Sequence, residues 1–247
     1  MENCVVIPTY NERDNISPLV DAIKEACKDI GIIIVDDNSP DGTGQVADEL
    51  ARTYPSIYVI HRPGKLGLGT AYTAGFRKAL ENGARRIITM DADFSHNPSY
   101  IPRLLEASAD HDLVIGSRYV SGGGVRNWGV ERRLLSWWAN TFARLMLGLK
   151  AHDCTGGFRC YRQEVLQEVR PETIQADGYS YLIEMLFRCQ QLSFSIAEVP
   201  IIFEDRRRGR SKVSSVEIFK AGWTVLRLAL ERVSHKGRKN QGVVVRR

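Results

Sequence analysis

The chain has 247 residues, 43% hydrophobic and 26% charged, which is ordinary globular composition and enough for one substantial core with an appendage. Its net charge of +5 is unevenly placed: residues 205–247 hold 13 Lys and Arg against 3 Asp and Glu, and residues 1–204 hold 21 against 26. A basic end on an acidic body points to a polyanionic partner, whether phosphate groups, a membrane surface or nucleic acid, while the lack of any apolar run near 18 residues excludes a membrane span.

Residues 4–7 read as a first strand, ended by PTYNE at 8–12. Asn15 or Ser17 would cap the helix that follows, whose Leu19, Val20, Ile23 and Cys27 have helical spacing. Gly31 leads into a buried strand at 32–35, closed by the polar loop 36–43; Val46, Leu50 and Tyr54 mark a helix, and 57–60 a third strand. This alternation predicts an α/β, Rossmann-like fold, a mostly parallel sheet with helices on both faces. The glycine-rich stretch 61–70 then precedes a helix over 71–82, but it has neither P-loop nor dinucleotide spacing and reads only as backbone that can approach a ligand closely.

The strand at 86–90 delivers Asp91 and Asp93 to the strand ends, where open α/β sheets bind ligands. On extended backbone the two carboxylates would point to the same side. Mg²⁺ or Mn²⁺ between them would relieve their repulsion and bridge to a diphosphate. A helix over 100–109 and a strand over 113–116 bring Ser117, Arg118 and Tyr119 to the same edge, and the run 121–124 reads as a mobile link.

In the second half, Leu135, Trp138, Phe142, Leu145 and Leu149 form one helical stripe flanked by Arg132, Arg133 and Arg144. Val216, Phe219, Trp223, Leu226, Leu230 and Val233 form another beside Lys220, Arg227 and Arg232. Such stripes either pack on the sheet or, given their tryptophans and basic flanks, lie in a membrane interface. Segments 153–161 and 196–200 read as strand or loop pieces near the site, and residues 236–247 as a basic, disordered tail. Five cysteines without a CxxC pair, and a start without an apolar signal region, predict reduced thiols in an intracellular, soluble or peripheral protein.

PTYNE at 8–12, VDDNSPDGT at 35–43, RPGKLGLGTAY at 62–72, MDADFSHNP at 90–98, GSRY at 116–119, ERRLLSWWAN at 131–140 and the basic loop 206–212 together resemble the dolichol-phosphate (polyprenol-phosphate) mannosyltransferases, glycosyltransferases of family 2 with the GT-A fold. The resemblance covers residues 4–235, and residues 1–235 read as one domain, with 131–149 and 214–235 as its amphipathic helices. It implies that Pro8, Tyr10, Glu12, Val35 and Asp37 hold the nucleoside, and that Asp91, Ala92 and Asp93 bind the sugar-diphosphate, with Asp93 as ligand of Mg²⁺ or Mn²⁺. Some members carry Gln where this chain has Ser95, a shorter and weaker ligand. Arg118 would lie near the phosphates, and Asp91, Asp93 and Arg118 would form the catalytic set. Arg132 and Ser136 would receive the lipid phosphate, and Arg206 and Lys212 would lie on a loop closing over the donor.

The implied reaction moves mannose from GDP-mannose to dolichyl or polyprenyl phosphate with inversion. It would occur at the cytoplasmic face of a membrane, in some organisms with a small membrane-anchor protein as partner. Rivals are transfer of glucose or another sugar from a UDP-sugar, a nucleotidyltransferase, which would open on a glycine-rich phosphate loop, and a polyanion binder. Nucleic acid is not the expected partner, because the basic tail lacks interleaved aromatics.

Overall fold

The computed structural model of the chain describes residues 1–205 and 215–241. Seven strands build the main sheet: β1 (Asn3–Thr9), β2 (Gly31–Asp36), β3 (Ile57–His61), β4 (Arg86–Thr89), β5 (Leu113–Ser117), β7 (Arg159–Arg162) and β8 (Ile196–Pro200). Their order is β3-β2-β1-β4-β7-β5-β8. Every neighbouring pair is parallel except those of β7, which runs antiparallel to both β4 and β5. A small parallel pair, β6 (Gly124–Arg126) and β9 (Ile202–Glu204), lies apart from it. The expected mobile link at 121–124 therefore ends inside a strand.

Eight helices complete the chain among the described residues: α1 (Arg13–Ala26), α2 (Thr43–Thr53), α3 (Leu68–Glu81), α4 (Ile101–Ala107), α5 (Val130–Leu147), α6 (Gln163–Val169), α7 (Tyr179–Gln191) and α8 (Ser215–Gln241). Successive strand residues alternate between two cores, as the pleat requires. Val6, Ile33, Val35 and Ile87 pack with residues of α3, α5, α7 and α8, whereas Val5, Ile7, Ile32, Ile34 and Ile88 pack with α1, α2 and α4. All six residues of β2 are buried, which is why it reads as a continuous apolar run.

The structure departs from the sequence reading at three helices. Helix α1 begins at Arg13, so Asn15 and Ser17 lie inside it, and Asn15 Nδ2 donates to Glu12 Oε2 at 2.7 Å instead of capping. Helix α7 had no counterpart in the sequence reading. Nine of its 13 residues are buried, and Tyr181, Leu182, Met185, Leu186 and Cys189 among them keep helical spacing. Helix α8 continues to Gln241, into the segment from Lys236 expected to be a disordered tail.

The two C-terminal stripes prove to face outward for the most part. Helix α5 turns Asn140, Ala143 and Leu147 inward, while Leu134, Trp137, Trp138 and Leu145 are exposed. Helix α8 buries Thr224, Val225 and Leu228 and exposes Phe219 (76%), Trp223 (64%), Leu226 and Leu230 (74%). Not all the basic flanks are free. The fully buried Glu184 of α7 accepts from Arg188 Nη2 at 2.6 Å on one oxygen and pairs with Arg227 of α8 on the other. Arg232 Nη1 donates to the Met146 carbonyl at 3.4 Å, near the negative end of the α5 dipole.

Helix α3 lies close on β1 at Gly75, where an added Cβ would overlap Val6 Cγ1 and meet Val35 Cγ2 at 3.3 Å. Gly75→Ala is expected to destabilise the fold by about 1–3 kcal/mol through overpacking. A denaturant midpoint equal to that of the parent protein would contradict this packing.

Candidate active site

The first polar cluster forms where β1 and β2 end side by side. The loop after β1 is laced to the loop after β2 by hydrogen bonds from Asn11 N to Ser39 Oγ (3.1 Å), Glu12 N to Thr43 Oγ1 (2.9 Å) and Arg13 N to Asp41 Oδ2 (3.1 Å). Asn11 takes φ 60°, which turns the chain sharply. Pro8, Tyr10, Glu12, Val35 and Asp37 thus gather at adjacent strand ends, Tyr10 partly exposed beneath Lys65 Nζ at 4.5 Å from its ring. Asp37 Oδ1 lies 2.8 Å from Arg62 Nη1 but without hydrogen-bond alignment, so the contact is an ion pair only. Burial pushes the Asp37 carboxyl above its ordinary range against the opposing pull of Arg62.

The second cluster follows β4. The strand stops at Thr89, Ala92 and Asp93 lie in a turn, and Phe94 has φ 63°. The alternation that would line up both carboxylates therefore does not hold. The Asp91 side chain is 39% exposed, while Asp93 is buried and accepts from Ser95 N at 3.0 Å. Tyr72 Oη donates to Asp91 Oδ1 at 3.4 Å.

His96 Nδ1 accepts the Asp91 N–H at 3.1 Å, and burial holds its pKa below the usual value. Its 3.8 Å approach to the Asp91 carboxylate is accordingly a neutral contact. Ser95 Oγ is sealed from solvent without a partner. Two carboxylates and an orphaned hydroxyl on one turn are the hard oxygen donors that suit Mg²⁺ or Mn²⁺. Among the described residues no three His, Cys, Asp or Glu side chains gather as a closed cage, so phosphate oxygens and water would complete such an ion's shell.

Arg118, at the end of β5, is committed to a partner the sequence reading did not identify. Its Nε and Nη2 donate to Asp153 Oδ2 and Oδ1 at 2.7 and 2.6 Å, and its Nη2 also donates to Thr155 Oγ1 at 2.8 Å. Burial alone would raise the Asp153 carboxyl, but the guanidinium and its hydrogen bonds outweigh it and hold the group below the ordinary range. Arg159 is buried as well, donating to the carbonyls of Gly156 (2.8 Å), Leu182 (2.8 Å) and Cys154 (2.9 Å). These bonds fix the loop 153–158. Its sequence signal was a carboxylate and two glycines beside a predicted strand, without any period to give Asp153 a role.

Arg132 and Ser136 lie on the first turns of α5. Arg132 Nη1 donates to Asp205 Oδ1 at 2.9 Å, with its guanidinium 4.1 Å from the Trp128 ring centroid, and Ser136 Oγ accepts from Tyr119 Oη at 2.7 Å. A groove of about 470 Å³ joins these groups. Sheet-edge loops and the start of α5 supply Asp91, His96, Arg118, Arg132 and Ser136 to its wall, while the rest of α5 and α8 supply Trp138, Phe142, Phe219, Trp223 and Leu226. The nucleoside candidates Pro8, Tyr10, Glu12, Val35 and Asp37 do not line it, and neither do Ala92 and Asp93. Arg206 and Lys212 lie outside the described residues.

The sheet order with its one reversed strand and the acidic turn after β4 can be set beside known proteins. Glycosyl transferase family 2 matches residues 4–170. The chain is 48% identical over 223 residues, 90% of its length and 84% of the relative's, to the polyprenol monophosphomannose synthase of Mycolicibacterium smegmatis. It is 44% identical over 230 residues, 93% of its length and 95% of the relative's, to the undecaprenyl-phosphate mannosyltransferase of Micrococcus luteus.

Among solved structures, Staphylococcus aureus TarS 1-349 in complex with UDP-GlcNAc superimposes with a TM-score of 0.61 at 17% identity, covering 93% of this chain and 65% of that one. The mannosyltransferase PcManGT from Pyrobaculum calidifontis, in complex with GDP-Man and Mn²⁺, gives 0.56 at 16%, covering 85% and 58%. The chain thus spans less than two thirds of either solved chain, and these likenesses speak to the fold alone. With the GT-A architecture matched and the family covering more than half of its length, the chain belongs to glycosyl transferase family 2.

Proposed function

We propose that the protein transfers mannose from GDP-mannose to a polyprenyl phosphate with inversion, giving polyprenyl-phosphate mannose and GDP. The observation that carries this reading is the groove, whose wall combines two guanidiniums and a carboxylate with an apolar lining from α5 and α8. A ligand that fits both is an amphiphile with an anionic head. The names of the two curated relatives, both acting on polyprenol carriers, point to the same acceptor class.

In this reading Pro8, Tyr10, Glu12, Val35 and Asp37 hold the nucleoside, and Asp91, Ala92 and Asp93 face the sugar-diphosphate. Arg118, fixed in orientation by Asp153, borders the phosphates, Arg132 and Ser136 take the lipid phosphate, and Arg206 and Lys212, outside the described residues, are assigned to the donor on the family resemblance alone. An oxygen of the acceptor phosphate attacks the anomeric carbon as the bond to the diphosphate breaks, and GDP leaves with that electron pair. A phosphate monoester has a second pKa of about 6, so the attacking oxygen is mostly deprotonated at neutral pH and no strong general base is needed. What the protein must supply is alignment of two anions and compensation of the charge that develops. Mg²⁺ or Mn²⁺ held by Asp93, with Asp91 and Ser95 on the same turn, would neutralise the departing diphosphate.

No helix among the described residues is long and apolar enough to cross a membrane. The outward apolar faces of α5 and α8 support a peripheral seat on a membrane; the cytoplasmic face and a small membrane-anchor partner are part of the proposal.

Purified protein should release GDP from GDP-mannose only when polyprenyl phosphate and a divalent ion are both present. EDTA or Asp93→Ala should abolish turnover; turnover from UDP-glucose in place of GDP-mannose, or pyrophosphate release from GTP and mannose-1-phosphate, would replace the reading. Arg132→Ala should raise the KM for lipid phosphate about ten- to a hundred-fold, as expected for a lost charged hydrogen bond, with little change in the KM for GDP-mannose. An unchanged lipid KM would remove Arg132 from the acceptor site. Trp137→Glu together with Leu145→Glu should weaken co-sedimentation with anionic lipid vesicles by about tenfold or more while the affinity for GDP is retained. Equal sedimentation of variant and parent would count against the membrane-facing role of this surface.

A further inference from the structure

His96 lines the groove together with Asp91, Arg118, Trp128 and Phe203, and the reaction as described gives it no task. Its ring is almost wholly buried, stacked on Phe158 at 5.1 Å and 20° and meeting Phe203 edge-on at 5.4 Å. A phenyl ring would satisfy that packing equally well. What a phenyl ring lacks is the nitrogen that accepts the Asp91 N–H at 3.1 Å. A backbone amide can only donate, so Nδ1 carries no proton and the ring proton sits on Nε2. The tautomer and the ring orientation are therefore both fixed by the chain.

The Nε2–H has no protein acceptor among the described residues. His96 forms part of the groove wall, and with Nδ1 committed to the Asp91 N–H the Nε2–H is the polar atom it has left for a ligand there. A donor in this position is neutral, directional and pre-oriented. Beside the guanidiniums of Arg118 and Arg132 a third cation would add repulsion, whereas a neutral N–H adds a hydrogen bond without it.

Resting on the acceptor site described under Proposed function, we infer that His96 is a phosphate-binding residue whose Nε2–H donates to a non-bridging oxygen of the lipid phosphate. The acceptor is favoured over the donor nucleotide because Arg132, Ser136 and the apolar walls share this groove with His96, whereas Tyr10 and Asp37 do not line it. The other ring nitrogen holds the backbone of Asp91, so the same side chain ties the acceptor site to the acidic turn.

Two substitutions separate the two ring nitrogens. In His96→Asn the amide oxygen can replace Nδ1 toward Asp91 but the groove donor is lost, whereas in His96→Gln the amide N–H reaches the place of Nε2–H. The expected result is a KM for a short-chain prenyl phosphate raised about ten- to a hundred-fold in His96→Asn and restored to within about threefold in His96→Gln, with the KM for GDP-mannose nearly constant in His96→Asn, which keeps the acceptor toward Asp91. A lipid-phosphate KM in His96→Asn equal to that of the parent, or one that His96→Gln fails to restore, overturns the inference.

A second measurement avoids misfolded variants and needs no turnover. In wild-type protein labelled at its histidine ring nitrogens, the His96 Nε2–H resonance should move on adding prenyl phosphate but not the corresponding prenol or GDP-mannose. A response to GDP-mannose alone, or an equal one to the prenol, rejects the assignment. If instead the resonance moves as expected while no sugar is transferred to any lipid phosphate, the reaction falls and the phosphate contact stands.

Discussion

Asp153 is fully buried, and its two oxygens take four hydrogen bonds: from the backbone N–H groups of Arg118 and Gly156, and from Nε and Nη2 of the Arg118 guanidinium. Its own N–H donates to Glu198 Oε1 at 2.9 Å. A carboxylate in such a place is tolerated only when fully answered, and here the answering groups come from Arg118 at the end of β5 and from Gly156 in the loop entering β7. The charge therefore ties the end of β5 to the loop before β7, and the Asp153 N–H joins that loop to β8 through Glu198. The carboxylate also holds the Arg118 guanidinium at the groove wall, 5.6 Å from the Trp128 and 5.5 Å from the Phe203 ring centroids. An arginine so constrained loses little further freedom when a phosphate arrives beside it.

Most other cations of the described chain near the site are shared in the same way. Arg62 lies against Asp37, Arg132 against Asp205, and Arg159 is spent on three carbonyls. The acidic balance of residues 1–204 thus has a structural counterpart: many carboxylates there orient arginines instead of standing free. Such pairing lowers the local positive charge in the crevice, which limits repulsion among guanidiniums. It also leaves an added dianion competing with protein carboxylates, so directional donors gain importance over net charge.

The sequence made the first half of the sheet legible because β1, β2, β4 and β5 are short apolar runs closed by polar loops. Asp37, Asp91 and Arg118 could be placed at strand ends on that ground alone. The direction of β7 could not be read, since an antiparallel strand inserted between parallel neighbours has the same buried composition as they do. Helix α7 carries a legible apolar period in Tyr181, Leu182, Met185, Leu186 and Cys189 that went unused, whereas Asp153 could not be read because its importance comes from Arg118, 35 residues away in sequence. The acidic turn was found but its geometry was not. Phe94 at φ 63° bends the backbone where extended spacing had been assumed. The stripes of α5 and α8 were found too, yet periodicity reports that a face is apolar without saying which way it looks.

That last ambiguity is physical before it is one of prediction. Helix α8 has two apolar sides: Val225 and Leu228 face the protein, while Phe219, Trp223, Leu226 and Leu230 face out and carry the larger side chains. Burial alone would favour rolling the helix to put the larger set against α7. Arg227, on the flank between them, meets the fully buried Glu184, which would be left half-answered in the rolled arrangement. Removing one partner from a buried ion pair costs on the order of 3–5 kcal/mol, comparable to burying one or two large apolar side chains. Arg232 on the Met146 carbonyl at the end of α5 adds a second polar constraint on the same rotation. Polar contacts can select an orientation in this way where apolar ones, being non-directional, cannot, and so they keep the large apolar face of α8 outside the core and available to the groove.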